Sequence, residues 1–242
     1  MKRLLTIVTL AAAMTIGTAS AQNLDFEHLA PHPRLLLRDG DITAMRTLPS
    51  RSENAAAVHD RIIAECDKVL DAAPVMTGRR LLLVSREALK RIFYLSYAYL
   101  TTDDTRYATR AEQEMLAISA FSDWNPSHFL DVGEMTMALA IGYDWLHDRL
   151  SRHSRSIIGT AIYEKGLRAS ENDSQAWFFR AENNWNQVCN AGMIYGALAT
   201  YERALPTPAD PPGSVPNLPP PRQRRRSFPA AADIQTAVRR CP

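Results

Sequence analysis

The sequence predicts an all-α protein built from antiparallel helical hairpins. Apolar residues recur at helical spacing through most of residues 50–203, and no segment alternates convincingly as a β-strand does. Helices that are apolar on most sides alternate with half-polar ones and are joined by short loops, which favours paired helices. The chain has 242 residues, 46% of them apolar and 22% charged, so it is long enough to bury one real core.

Proline and capping signals divide the chain into helices. Prolines interrupt residues 22–49, which are expected to be irregular. Ser50 followed by Glu53 is a capping-box signal, and it predicts a first helix that runs to about Ala72, before the break at Pro74 and Gly78. Further helices are predicted at about 85–101, 105–120, 125–150, 152–169 and 186–203.

The fourth predicted helix is expected to be the most buried. Asn125 followed by Pro126 fits an N-cap and a first helical position. Apolar side chains line both faces of this helix, and close helix packing explains Gly133 and Gly142 within it. The fifth helix has a narrow apolar stripe flanked by charged residues, so an outer, half-solvated position is expected.

The two ends of the chain differ from residues 22–205, which are predicted to form one domain. Residues 1–21 have a basic start, a mostly apolar run of 13 residues and a final Ala-Ser-Ala. This pattern is typical of a secretory signal peptide and predicts a secreted or periplasmic protein without membrane association after cleavage. Residues 206–242 hold 10 of the 15 prolines and a net charge of +4, which predicts a disordered tail.

Charge and motifs exclude several classes of protein. The formal net charge is only +2, and residues 22–205 carry −4, so no nucleic-acid partner is expected. The sequence has no GxGxxG, P-loop, HExxH or GxSxG motif, and no cofactor or metal site is predicted. Oligomeric state is not predicted.

The cysteines indicate neither a disulfide framework nor a zinc site. Cys66, Cys189 and Cys241 are odd in number and irregular in spacing. Buried free thiols are favoured at the first two positions, and a single bridge between them stays open.

A group of asparagines is the densest polar feature. Four lie within eight positions, at Asn183, Asn184, Asn186 and Asn190. Asparagine favours caps and turns, so one interpretation is a loop followed by an N-cap. The other is a carbohydrate site, because amides can bind hydroxyls and carboxylates beside an aromatic surface from Trp177, Phe178 and Trp185.

A second candidate group surrounds the fourth helix. Trp124 and His128 lie at its entrance, with Glu134 and Asp144 further along. His128 is interpreted as a cap or a core histidine, although its near-neutral pKa keeps it a candidate base. Burial predicts that the two carboxylates pair with arginines, and the candidates are Arg91, Arg149 and Arg180. A less favoured alternative is a glycoside hydrolase that uses these two carboxylates as a catalytic pair.

Four stretches in order resemble the N-terminal domain of heparinase II/III-like polysaccharide lyases, over about residues 28–203. They are residues 32–37 (HPRLLL), 123–131 (DWNPSHFLD), 140–146 (AIGYDWL) and 183–190 (NNWNQVCN). The resemblance implies an incomplete (α/α) toroid followed by antiparallel β-sheet domains. It also implies β-elimination on an acidic polysaccharide such as heparin, heparan sulfate or alginate, with a histidine or tyrosine as base and acid.

The resemblance assigns roles to individual residues. Asn184 is expected to neutralise the uronate carboxylate, because an uncharged amide can stabilise the enolate-like intermediate without competing for the proton. Substrate contacts are expected from Asn183, Trp185, Asn186, Trp124, His128 and Glu134.

The sequence departs from the family pattern in two places. Trp185 stands where the alginate-lyase branch has a histidine, so no base is assigned there. The match stops near Leu205, before the family's catalytic tyrosine, a further histidine and the β-sheet domains. We therefore expect a truncated or frame-shifted product with little or no activity, and the alternative is a non-catalytic helical module that binds glycan or protein.

Overall fold

The computed structural model describes residues 29–38, 40–76, 81–172 and 174–204, and within these ranges the chain is helical and has no strand. This confirms the predicted all-α class. The described α-helices are α1 (Asp41–Thr47), α2 (Glu53–Leu70), α3 (Leu81–Thr102), α4 (Thr105–Ser119), α5 (Phe129–Trp145), α6 (Arg152–Ala161) and α7 (Asn184–Ala199). The predicted signal peptide and the predicted tail lie outside the described residues.

Local signals explain where α2 and α5 begin, and both predicted caps were wrong. Ser50 donates its hydroxyl to the carbonyl of Thr47 within a short 3-10 turn, and Ser52 caps α2 by accepting from the amide of Ala55. Asn125 has a left-handed backbone with φ of 57°, so α5 starts later, after His128. The expectation of irregular structure before residue 49 was also wrong, because α1 lies there.

Helices α3 and α5 run in the same direction. Near their starts, the Ser85 hydroxyl donates to Glu134 at 2.7 Å. Further along, the rings of Phe93 and Trp145 lie 5.1 Å apart. The start of one helix therefore faces the start of the other, and later residues face later residues, so the two helices are parallel.

Helices α5 and α7 are parallel for the same reason. The rings of His128 and Trp185 lie 4.7 Å apart at the beginning of the pair. Further along, a Cβ added at Gly196 would come within 2.6 Å of the Thr136 methyl group. The amino ends of α3, α5 and α7 thus lie at one end of the molecule.

Helices α2 and α4 run in the opposite direction to α3, and Arg91 in the middle of α3 accordingly bonds to Glu114 near the end of α4. His59, near the start of α2, contacts the hydroxyl of Tyr97 near the end of α3 at 3.1 Å. After α6 the chain makes a π-helical turn, Ile162–Leu167, in which Gly166 packs on Thr136 of α5. The α-helical part of the helix predicted at 152–169 therefore ends at Ala161. In the wider π-helical turn that follows, Ile162 and Gly166 are both buried.

Helix α5 forms the centre of the core. Of its 17 residues, 15 are buried, as its apolar character on all sides predicted. Gly133 and Gly142 occupy close helix contacts, also as predicted. A Cβ at Gly142 would collide with Met115 of α4 and Ile92 of α3, and one at Gly133 would press on the backbone of Cys189.

Cys66 and Cys189 are both free and buried, so the bridge left open by the sequence is absent between these two residues. Burial raises the pKa of each thiol to about 12, and both therefore act as small apolar side chains. No helix within the described ranges has the length and apolar character needed to cross a bilayer.

Candidate functional site

The amino end of α7 presents an amide from Asn184. Asn183 is the N-cap, and its side-chain oxygen accepts a hydrogen bond from the Trp185 amide at 3.0 Å. Asn184 is the first helical residue and is exposed, and its side-chain amide bonds to no residue in the described part of the chain. This amide is therefore available to a ligand.

The other two asparagines have structural partners. The amide of Asn186 donates to the carbonyls of Phe178 and Phe179 at 3.2 and 3.1 Å, which ties the 3-10 turn Ala176–Arg180 to α7. The amide of Asn190 donates to the carbonyl of Asn186 at 2.8 Å. The cap at Asn183 and the internal hydrogen bonds of Asn186 and Asn190 thus account for three of the four asparagines, and Asn184 is the one without a partner in the described residues.

An aromatic surface, which consists of Trp177, Trp185 and His128, lies beside these amides. The rings of Trp177 and Trp185 are 4.7 Å apart, and His128 packs edge-on against Trp185 at the same distance. Trp177 is 46% exposed. Phe178, expected at this surface, is instead fully buried and stacks on Phe129.

His128 lies close to a buried carboxylate that sequence reasoning did not single out. Its Nδ1 is 3.4 Å from Oδ2 of Asp131, a side chain that is only 1% exposed. The amide of Asn125 donates to the same oxygen at 2.7 Å. His128 occupies the N-cap position of α5, but its side chain makes no capping hydrogen bond. The spacing of three residues between His128 and Asp131 was the available signal.

Two further residues expected to contact substrate lie elsewhere. Trp124 is fully buried, and its indole donates to the carbonyl of Ile118 at 3.2 Å, so it belongs to the core. Glu134 is partly exposed and accepts from Ser85 and from Arg86, the latter at 3.3 Å.

The predicted pairing of an α5 carboxylate with an arginine is confirmed at Glu134, which pairs with Arg86, but the three arginines named as candidates were wrong. Arg91 pairs with Glu87 and with the buried Glu114. Arg149 lies over the ring of Tyr99, and Arg180 is exposed.

Asp144 instead anchors a cluster at the carboxyl end of α5, which we call the clasp (His32, Arg34, Asp144, His147 and Glu202). The fully buried Asp144 accepts from Nδ1 of His32 at 2.6 Å and from the backbone amides of Arg34 and Leu35. Asp144 follows Glu134 by ten residues, or roughly 15 Å along a helix. This exceeds the separation of a glycosidase pair, so Glu134 and Asp144 do not form one.

The clasp joins the two ends of the described chain beside a shallow open cavity of about 480 Å³. Arg34 forms an ion pair with Glu202, and the rings of His32 and His147 stack 4.0 Å apart. Burial opposes the charged form of Glu202, but hydrogen bonds from His32 and Arg34 prevail and lower the pKa of Glu202 to about 2.

The two clasp histidines differ in pKa. Burial opposes protonation of His32, but hydrogen bonds to Asp144 and Glu202 outweigh it and raise the pKa of His32 above 6.5. Burial, aided by the charge of His32, lowers the pKa of His147 below that value. The sequence motif around His32 gave no indication of these contacts.

Within the described ranges no group of three or more histidine, cysteine, aspartate or glutamate side chains could hold a metal ion. No known protein-family model matches the chain, and a search of curated proteins finds no similar sequence. The resemblance to lyases therefore depends on the four sequence stretches.

Proposed function

We propose that this chain is the amino-terminal helical part of a secreted polysaccharide lyase of the heparinase II/III type. Its ligand is an acidic polysaccharide, bound at the amino ends of α5 and α7. The observation that carries the proposal is the exposed Asn184 amide beside the aromatic surface. Aromatic rings can stack on sugar faces while the amide binds a carboxylate or hydroxyl.

The geometry supports binding of a uronate carboxylate. Asn184 occupies the first turn of α7, where unpaired backbone amides and the helix dipole favour an anion. Because residues 22–205 carry a net charge of −4, attraction of a polyanion must come from such local groups. The parallel arrangement of α3, α5 and α7, with returning helices between them, supports the proposed (α/α) toroid.

The proposed chemistry is β-elimination. The proton at C5 of a uronic acid is barely acidic while the neighbouring carboxylate is charged. A neutral amide at Asn184 would stabilise the charge that develops on that carboxylate as the proton leaves. We expect little or no product from this chain alone, because the tyrosine implied by the resemblance is not matched within residues 28–203.

The test measures binding and cleavage separately. Heparan sulfate and alginate are titrated into the purified chain, and unsaturated uronate is followed by ultraviolet absorbance. We expect saturable binding. Asn184→Ala should weaken the affinity about tenfold, because it removes one charge-assisted hydrogen bond. Gln187→Ala, which removes an exposed amide one turn along α7, should leave affinity unchanged. Absence of binding, or robust product that survives Asn184→Ala, contradicts the proposal.

Carboxyl-reduced polysaccharides separate this proposal from a non-catalytic binding module. A lyase-type site depends on the carboxylate, so reduction should abolish the effect of Asn184→Ala. A module that recognises sugar rings through Trp185 would bind native and reduced polymers equally well, and Trp185→Ala would abolish its binding to both.

A further inference from the structure

We infer that Asp131 positions His128 in the tautomer that carries its proton on Nδ1, which leaves Nε2 as a proton acceptor at the aromatic surface. The inferred role of this acceptor in catalysis depends on the proposed function. The tautomer itself depends only on the geometry around the ring. Asp131 is accordingly a positioning residue.

The first observation is a pair of buried polar atoms without hydrogen-bond partners. Nδ1 of His128 and Oδ1 of Asp131 are both buried and unpaired within the described part of the chain. Nδ1 also lies 3.4 Å from Oδ2 of the same carboxylate. Buried polar groups are usually paired, so each unpaired one requires an explanation, and a catalytic role is one of these.

The second observation is that the carboxylate is held in place. The amide of Asn125 donates to Oδ2 at 2.7 Å, and Asn125 itself has a left-handed backbone. The peptide amide of Asn125 is fixed in turn by a 2.7 Å hydrogen bond to Asp123. The turn before α5 thus aims an almost fully buried carboxylate at one edge of the imidazole.

These contacts select one tautomer. An ionised carboxylate only accepts hydrogen bonds, so a lone pair on Nδ1 facing it would be repelled. A proton on Nδ1 converts that repulsion into attraction, and the other ring nitrogen then bears the lone pair. The His128 side chain is 39% exposed although Nδ1 is buried, so its accessible part lies on the rest of the ring.

The consequence for the proposed elimination is a defined proton acceptor. Nε2 would take the C5 proton, and the C5–H electron pair would become the C4=C5 double bond. The C4–O bond then breaks, and its oxygen leaves with the electron pair and takes the proton back from the imidazolium. The Nδ1–Asp131 interaction strengthens while the ring is charged, which stabilises that step.

Nitrogen-15 NMR of the whole chain tests the tautomer at a pH where His128 is neutral. We expect the Nδ1–H form to predominate, although a free histidine side chain in water prefers the Nε2–H form. Asp131→Asn should shift the balance towards Nε2–H, because a neutral amide oxygen held by Asn125 attracts the Nδ1 proton less strongly than a carboxylate does. His59, whose Nδ1 contacts Tyr97, serves as the internal reference and should not change.

A predominant Nε2–H form in the wild-type chain overturns the inference, and this measurement holds even if the variant does not fold. Adding an oligouronate to the wild-type chain should then shift the Nε2 signal of His128. If the oligouronate does not bind but Nδ1–H predominates, the proposed function fails and the positioning role of Asp131 stands.

Discussion

A Cβ atom on Gly192 would lie 2.3 Å from the carbonyl oxygen of Gly133, so α7 and α5 meet backbone to backbone. The contact lies between the aromatic surface at the amino ends and Thr136 further along. It fixes how far α7 approaches α5 and therefore where Asn184 and Trp185 stand relative to His128.

Gly192→Ala should destabilise the fold, because the added methyl group meets backbone atoms that cannot rotate away. We expect a loss of about 2–3 kcal/mol in the free energy of unfolding, as for other overpacked cores. Urea denaturation measures it. Gly40→Asn is the control, since Gly40 has open surroundings and asparagine tolerates its positive φ. Equal stabilities of Gly192→Ala and wild type would contradict the backbone contact.

Asn183 and Asn184 are adjacent amides with different predicted effects. Asn183→Ala removes the cap of α7 and should cost about 1 kcal/mol in the free energy of unfolding. Asn184→Ala removes no internal hydrogen bond in the described structure and should leave stability within about 0.5 kcal/mol of wild type. Thermal or urea denaturation of both variants checks this difference. The reverse order of stabilities would show that the cap lies at residue 184.

The combined contribution of the two clasp histidines to stability is expected to be greatest near pH 6.5. The pKa of His32 is raised in the folded state, so its contribution is complete below 6.5 and is lost as pH rises through the folded value. The pKa of His147 is lowered, so the folded state resists its protonation and stability falls as pH drops below 6.5.

Urea denaturation across pH 5–9 measures both slopes. His32→Gln should flatten the decline above pH 6.5, and His147→Gln should flatten the decline below it. His153, an exposed residue outside the clasp, provides the matched control as His153→Gln. If His32→Gln leaves the alkaline slope unchanged, the His32–Asp144 hydrogen bond does not control it.

The sequence predicted the helices well where periodicity was strong. The apolar run of α5 on all sides indicated burial, and the two glycines within it indicated close contacts. The N-caps were harder to predict. Ser50 and Ser52 both fit the start of a helix, but Ser50 lies inside a 3-10 turn that begins around Pro49, so Ser52 is the cap.

Partners distant in sequence were not predictable. The carboxylate of Asp144 bonds to His32, 112 positions earlier, rather than to an arginine nearer in the chain. Likewise, no sequence pattern indicated that the Asn186 amide would donate to carbonyls of the turn at Ala176–Arg180. The structure was therefore needed to distinguish Asn186, which is engaged, from Asn184, which is available.

The ion pair between Arg34 and Glu202 spans 168 positions and has a consequence for biosynthesis. Contacts between segments far apart in sequence form late, because the chain between them must first be ordered. During synthesis from the amino end, α3, α4 and α5 can pair before residue 202 is made. Until then Arg34 lacks Glu202, and the segment that carries His32 can be held through Asp144 but not yet through the carboxyl-terminal end of the described chain.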